Sequence, residues 1–200
     1  TKSAVQNINN SAGVVERGLS IGCNLNFVIN AVDAGNAQTV RSCKVVCSAS
    51  DLGGIGASTS DTANFYATTV YGANTASIAG LFVLSGTVNV TDCIVTNFDV
   101  GVSVIGGTLN HTYNNLGGNA AVGIGLSTGE ITTAPALSGT ASGQLSITRT
   151  SPCFNTGTDL SGSGVTHDYT GRKRGANAKS MGAMEPSRAS HFSTMLLLDG

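Results

Sequence analysis

Apolar residues alternate with small or polar ones through the middle of the chain, in short runs broken by glycine. Three runs line up without gaps and at nearly equal spacing: Ala79-Gly80-Leu81-Phe82-Val83-Leu84-Ser85-Gly86, Val100-Gly101-Val102-Ser103-Val104-Ile105-Gly106-Gly107 and Val122-Gly123-Ile124-Gly125-Leu126-Ser127-Thr128-Gly129. Alternation of period two predicts strands with one face in and one face out. A second run follows the first, and Thr87-Val88-Asn89-Val90-Thr91 matches Thr108-Leu109-Asn110-His111-Thr112 at the offset that relates Ala79 to Val100. Towards the N-terminus, Val90 matches Phe65 and Val40 at equal, slightly longer intervals. In the same register Cys93 matches Thr68 and Cys43, and Ile94-Val95 matches Thr69-Val70 and Lys44-Val45. Each unit thus holds at least two short strands and their turns. The register fades before Val40 and does not place residues 1–30.

A unit this short cannot close its own core, but copies stacked on one another can. The pattern predicts an all-β fold, a parallel β-helix (solenoid) with about 21–25 residues per coil. Each coil would add about 4.8 Å, so five or six would make a rod of roughly 25–30 Å. The rival arrangement is an antiparallel sandwich such as a jelly roll, and the gapless repeats count against it. Composition points the same way. Charged residues are 10% of the chain, against about 25% in ordinary domains, which argues against helical bundles and coiled coils. Gly, Ser, Thr and Asn supply 89 of the 200 residues, and these favour turns and strand surfaces over helices. The net charge of −1 offers no field for nucleic acid or a membrane surface. No apolar run reaches the roughly 18 residues of a membrane span. The chain begins at Thr1, and a leader or N-terminal region is expected to precede it.

Residues 131–186 change character. All three prolines, Pro135, Pro152 and Pro186, fall there, and five of the ten basic residues follow Gly171. Five pieces occur in order: Pro135-Ala136-Leu137; Gly143-Gln144-Leu145; Ser151-Pro152-Cys153-Phe154-Asn155-Thr156-Gly157; Asp168-Tyr169-Thr170-Gly171-Arg172-Lys173-Arg174; and Gly182-Ala183-Met184-Glu185. This order resembles the C-terminal tail of many bacterial secreted and phage proteins of the right-handed parallel β-helix (pectate-lyase-like) superfamily. It departs from them at Met181 and Met184, where the family more often has Ile and Tyr. With the upstream repeats the resemblance covers about residues 40–186. It implies a right-handed β-helix seen at its C-terminal end, and it does not specify function. The expected organisation is β-helix coils over 1–130, the last coil and a C-terminal cap over 131–186, and a docking tail over 187–200. An open solenoid end exposes unpaired backbone and an apolar cross-section, and the cap is expected to cover it. The expected cap residues are Asp168, Gly171, Arg174, Glu185, Pro152 and Phe154. Arg174 is expected to be held by Asp168, Glu185 or both, with Gly171 in the tight turn between.

Enzymes of this superfamily act on polysaccharides, the hydrolases through clustered carboxylates and the lyases through Asp-bound calcium with a basic residue. Between Arg41 and Arg149 the one basic residue is Lys44, and the acids are Asp51, Asp61, Asp92, Asp99 and Glu130. Asp92 and Asp99 share a coil, but their counterparts one coil on are Tyr113 and Ala120, so no acid ladder forms. They read as a turn residue and a solvated strand-end residue, with an acid-pair or calcium role as the sharper alternative. No catalytic residue, metal site or cofactor is assigned. His111 takes the position of Val90 and Phe65, which suggests burial or stacking. His167 and His191 lack a second ligand at metal spacing. The run Arg172-Lys173-Arg174 lacks the aromatic interleaving of a nucleic-acid patch.

Asn9, Asn89 and Asn110 sit in glycosylation sequons at a frequency close to chance, and the equivalence of Asn89 with Asn110 favours a stacked Asn ladder. Thr87/Thr108 and Thr91/Thr112 stack over two coils, too short a Thr face to argue for ice binding. Five cysteines leave at least one unbridged. Cys43 and Cys93 are two coils apart, beyond disulfide reach, whereas Cys23 and Cys47 are one coil apart and within it. Phe192 and Met195-Leu196-Leu197-Leu198 make the last segment sticky, so it is expected to dock on this rod or on a neighbouring chain. The reading is a non-enzymatic extracellular module, structural or glycan-contacting. A bacteriophage virion component (appendage, tail or head decoration) comes first and a bacterial surface protein second. Its expected partners are other protein chains, in a homo-oligomer or virion assembly, and a polysaccharide. The alternative is a polysaccharide lyase or glycoside hydrolase.

Overall fold

The computed structural model describes residues 5–7, 14–16, 19–21, 27–31, 38–47, 53–57, 62–73, 79–140, 144–175 and 179–186. Nearly all the regular structure is β, with one short 3-10 turn at Ser161–Ser163. The first sheet holds β1 (Val5–Asn7), β4 (Phe27–Ala31), β7 (Gly53–Ala57), β10 (Ala79–Val83) and β13 (Val100–Val104). The second holds β2 (Val14–Glu16), β5 (Gln38–Arg41), β8 (Thr62–Tyr66), β11 (Thr87–Thr91) and β14 (Thr108–Thr112). The third holds β3 (Leu19–Ile21), β6 (Lys44–Cys47), β9 (Thr69–Gly72) and β12 (Ile94–Thr96). In each of the three, neighbouring strands are parallel and three apart in the chain, so the chain visits the sheets in turn and then returns. A fourth, antiparallel pair joins β15 (Leu137–Ser138) to β16 (Ser146–Ile147).

Registers follow the sequence repeats. Val90 pairs with Phe65 and His111, and Phe65 with Val40. Ile94 pairs with Thr69, and Thr69 with Lys44. The units before Val40 join the same sheets, Val15 opposite Val40 and Leu19 opposite Lys44. Each unit from β1 to β12 contributes three strands, one more than the minimum the repeats implied. The run from Val122 differs from expectation. It meets β13 through one bridge, Val100 to Ala121, one position earlier than the repeat predicts, and through the Val102 N–H donating to the Val122 carbonyl at 2.9 Å, but it forms no strand of its own. Gly123, at φ +90°, turns the chain out of strand geometry there.

One hydrophobic cluster joins all three sheets, through Ile55, Leu81 and Val83 from the first, Val40, Phe65, Val88 and Val90 from the second, and Val45, Val70 and Val95 from the third. The second sheet alternates buried and part-exposed residues, as a strand with one wet face must. In the third sheet Lys44–Cys47 and Ile94–Thr96 are buried at every position, so its outer face is covered too. The cover is formed by residues 144–175 and 179–183. It makes a second cluster with Ile94 through Ile147, Cys153 and Met181. The sequence suggested a cover over the end of the stack. The structure lays this segment along one flank, reaching back from Asp92 to Thr69, Lys44, Ser42 and Arg41.

Candidate functional site

The corner between the second and third sheets is two residues long at 42–43, 67–68 and 92–93, and residues 113–114 take the same place before Asn115, which bridges to Ile94. Its first residue has positive φ in each case, Ser42 at 51°, Ala67 at 46°, Asp92 at 56° and Tyr113 at 54°. The first three corners dock the flanking segment. Ser42 Oγ donates to the His167 carbonyl at 2.8 Å. Ala67 packs with Leu160 and Val165. Both carboxylate oxygens of Asp92 accept the Thr158 N–H at 2.9 Å, and its carbonyl accepts the Gly182 N–H at 2.6 Å.

Asp92 is 1% exposed. Burial pushes its carboxyl up to about 7, against the Thr158 N–H and the charges of Arg174 and Lys179, which pull it down. Gly157 backs the carboxylate closely, and a Cβ there would lie 2.8 Å from Oδ2. Asp99, its companion in the sequence, is exposed in the turn after β12. The fold therefore separates the two environments: Asp92 sits in a turn, as expected, but is buried there. The signal missed was Thr158, which is distant in the chain and outside the repeat.

The flanking segment has its own polar centre. Asp168, fully buried, accepts the Thr170 N–H and hydroxyl and the Arg172 N–H on Oδ1, and the Glu185 N–H on Oδ2 at 3.2 Å. This ties the turn in which Gly171 sits at φ +82°. Arg174 donates to Glu185 Oε1 at 3.0 Å and to the carbonyls of Ser180 at 2.9 Å and Gly182 at 2.5 Å. Of the two carboxylates, Glu185 takes the direct bond and Asp168 organises the turn beside it. Burial lowers the guanidinium's proton affinity, opposed by Glu185, Asp168 and Asp92 in that order. Pro152 and Phe154 are half-buried in the turn at 151–155, where the fully buried side chain is Cys153. Lys179, buried, is paired with the exposed Asp159, whose carboxyl it draws down to about 2. Arg172 and Lys173 are exposed while Arg174 is buried, so the basic run is not a continuous surface patch. Beneath the segment, Lys44 donates to the Gln144 carbonyl under the Tyr169 ring, 4.2 Å from its centroid.

A second polar cluster closes the last strand of the second sheet. His111 Nδ1 lies 2.8 Å from Glu130 Oε1, and the Glu130 side chain is fully buried. Asn114 Nδ2 donates to the same oxygen at 3.0 Å, and the Ser127 N–H to the other at 2.8 Å. A polar lid thus meets His111 at the core position that Val90 and Phe65 hold in earlier units. On the outer face of the same sheet, Asn110 donates to Asn89 and Asn89 to Asn64, each at 2.8 Å. Thr62, Thr87 and Thr108 run beside this column, with Tyr66, Thr91 and Thr112 on its other side. The ladder and the first Thr column are thus three strands long.

A cavity of about 210 Å³ lies between Asp159, Val165, Lys173 and Lys179, below the roughly 300–1,000 Å³ of small-molecule sites. Among the described residues no group of three or more His, Cys, Asp or Glu is arranged to hold a metal ion, and no helix is long and apolar enough to cross a membrane. Cys23, Asp51, Asp61, His191 and the segment 187–200 lie outside the described residues. No family model, curated protein or solved structure matches the chain.

Proposed function

We propose that the chain is a right-handed parallel β-helix of the pectate-lyase-like kind, serving as a non-enzymatic extracellular module, structural or glycan-contacting, in a bacteriophage virion or on a bacterial surface. Three parallel sheets around one core, with strands three apart in register, support the first part of this reading. The observation that carries the second is the outer face of β8, β11 and β14. It presents Thr62, Thr87, Thr108, Asn64, Asn89 and Asn110 in straight columns with no charged side chain among them. Ordered hydroxyls and amides at strand spacing suit a neutral, hydroxyl-rich partner better than an anionic one. Other protein chains are the expected neighbours, through residues 187–200.

The test is a panel of neutral and acidic polysaccharides, scored for binding by co-sedimentation and for cleavage by reducing ends and unsaturated uronates. Binding without cleavage, weakened by Asn110→Asp, is the expected outcome for a glycan-contacting module. Absence of both binding and cleavage leaves the purely structural role. Cleavage that survives purification to homogeneity overturns the reading in favour of a lyase or hydrolase.

A further inference from the structure

The geometry points to Asp92 as a proton-dependent latch: with its carboxyl protonated the flanking segment is held on the corner of the repeats, and ionisation loosens it. The argument starts from donors. A carboxylate is comfortable when buried only if several N–H groups or a close cation satisfy it. Among the described residues a single N–H, that of Thr158, reaches the Asp92 oxygens. The nearby cations are engaged elsewhere, Arg174 with Glu185 and Lys179 with Asp159. Glu185 adds a like charge, and the neighbouring Cys93 adds none because burial holds its thiol up near 12. Asp168, the remaining acid of the segment, faces Arg174 and Lys44. Asp92 is thus short of partners for a negative charge, and a proton relieves the shortage.

The latch sits where it can act. Asp92 touches the segment at two places far apart in the chain, the Thr158 and Gly182 amides, on stretches joined to each other by the Gly157 N–H donating to the Lys179 carbonyl. Next to the Gly182 contact, Met181 packs with Ile94 on the outer face of the third sheet. Loosening at Asp92 would lift both stretches of the segment together and uncover that face.

The sign follows from linkage. The closed form binds the proton up to about pH 7, whereas an exposed Asp releases it near pH 4. The latch is therefore fully closed below about pH 4, weakens about tenfold per pH unit between 4 and 7, and levels off above. Hydrogen exchange of the Thr158 and Gly182 amides, corrected for intrinsic rates, reads this directly in the full chain. From pH 5 to pH 8 protection should fall about a hundredfold in the wild type. In Asp92→Asn, which keeps a neutral acceptor, it should stay flat. A wild-type change below about threefold overturns the proposal, as does an equal fall in the variant. Should Asp92→Asn not fold, the carboxyl carbon of Asp92 in the wild type decides by NMR titration. A midpoint near 7 supports the latch, and one near 4 refutes it.

Discussion

Arg174 and Glu185 form an ion pair in which the cation is 3% and the anion 11% exposed, and the same guanidinium holds two backbone carbonyls of the stretch that carries Glu185. The pair acts as a staple across the segment. Arg174→Ala would leave a largely buried carboxylate without its cation, held only by the Ser180 N–H and hydroxyl, and two carbonyls without their side-chain donor, a loss of about 3–5 kcal/mol. Its neighbour Lys173 is exposed, and Lys173→Ala should stay within about 0.5 kcal/mol. Thermal unfolding of the two variants side by side measures the contrast, and equal small shifts would contradict it.

In the Asn column, Asn89 both gives and receives a side-chain bond, whereas Asn110 at the end only gives one. Asn89→Ala should therefore cost about 1–2 kcal/mol and Asn110→Ala about half that. Denaturant midpoints at unchanged m-value are the readout. The reverse order would mean that the amides gain nothing from stacking.

Gly182 combines two constraints. Its φ is +85°, and a Cβ there would stand 2.6 Å from Ile94 Cδ1 and 2.7 Å from Thr69 Oγ1. Gly182→Ala should destabilise by about 2–4 kcal/mol from strain and overpacking together. Gly162, whose Cβ position is open to at least 4 Å, provides the neutral comparison. Calorimetry of both variants checks the difference.

Cys93 and Cys153 are buried, and burial lifts both thiols to about 12. Neither thiolate forms appreciably at pH 8, so a thiol reagent should modify these two only on unfolding. Mass mapping of labelled cysteines before and after denaturant checks this. Labelling of Cys93 in the native protein would place it at the surface.

The repeat was legible because the stack uses the same offsets in space as in sequence. Val40, Phe65, Val90 and His111 fall in one column whether counted or built. The third strand of each unit was harder to read. Strands such as Ile94–Thr96 are buried on both faces and lose the alternation that marks a half-exposed one. The flank was readable as a set of motifs but not as a location. The bonds that place it, Ser42 to His167 and Asp92 to Thr158, join residues far apart in the chain and leave no periodic trace. Glu130 was invisible as a partner of His111 for the same reason, since it follows a stretch in which the repeat has dissolved into turns.

The two-residue corner at Ser42, Ala67 and Asp92 has a further consequence. The other two corners vary, with six residues between β9 and β10 but three between β12 and β13, and four between β7 and β8 but three between β10 and β11. Length differences are thus absorbed away from the corner on which the flank rests, and the columns keep their register. Foreign peptides grafted at the variable corners would enlarge the molecule without disturbing its fit to the flank. The architecture therefore separates the part of the surface that is free to diversify from the part that has to stay constant.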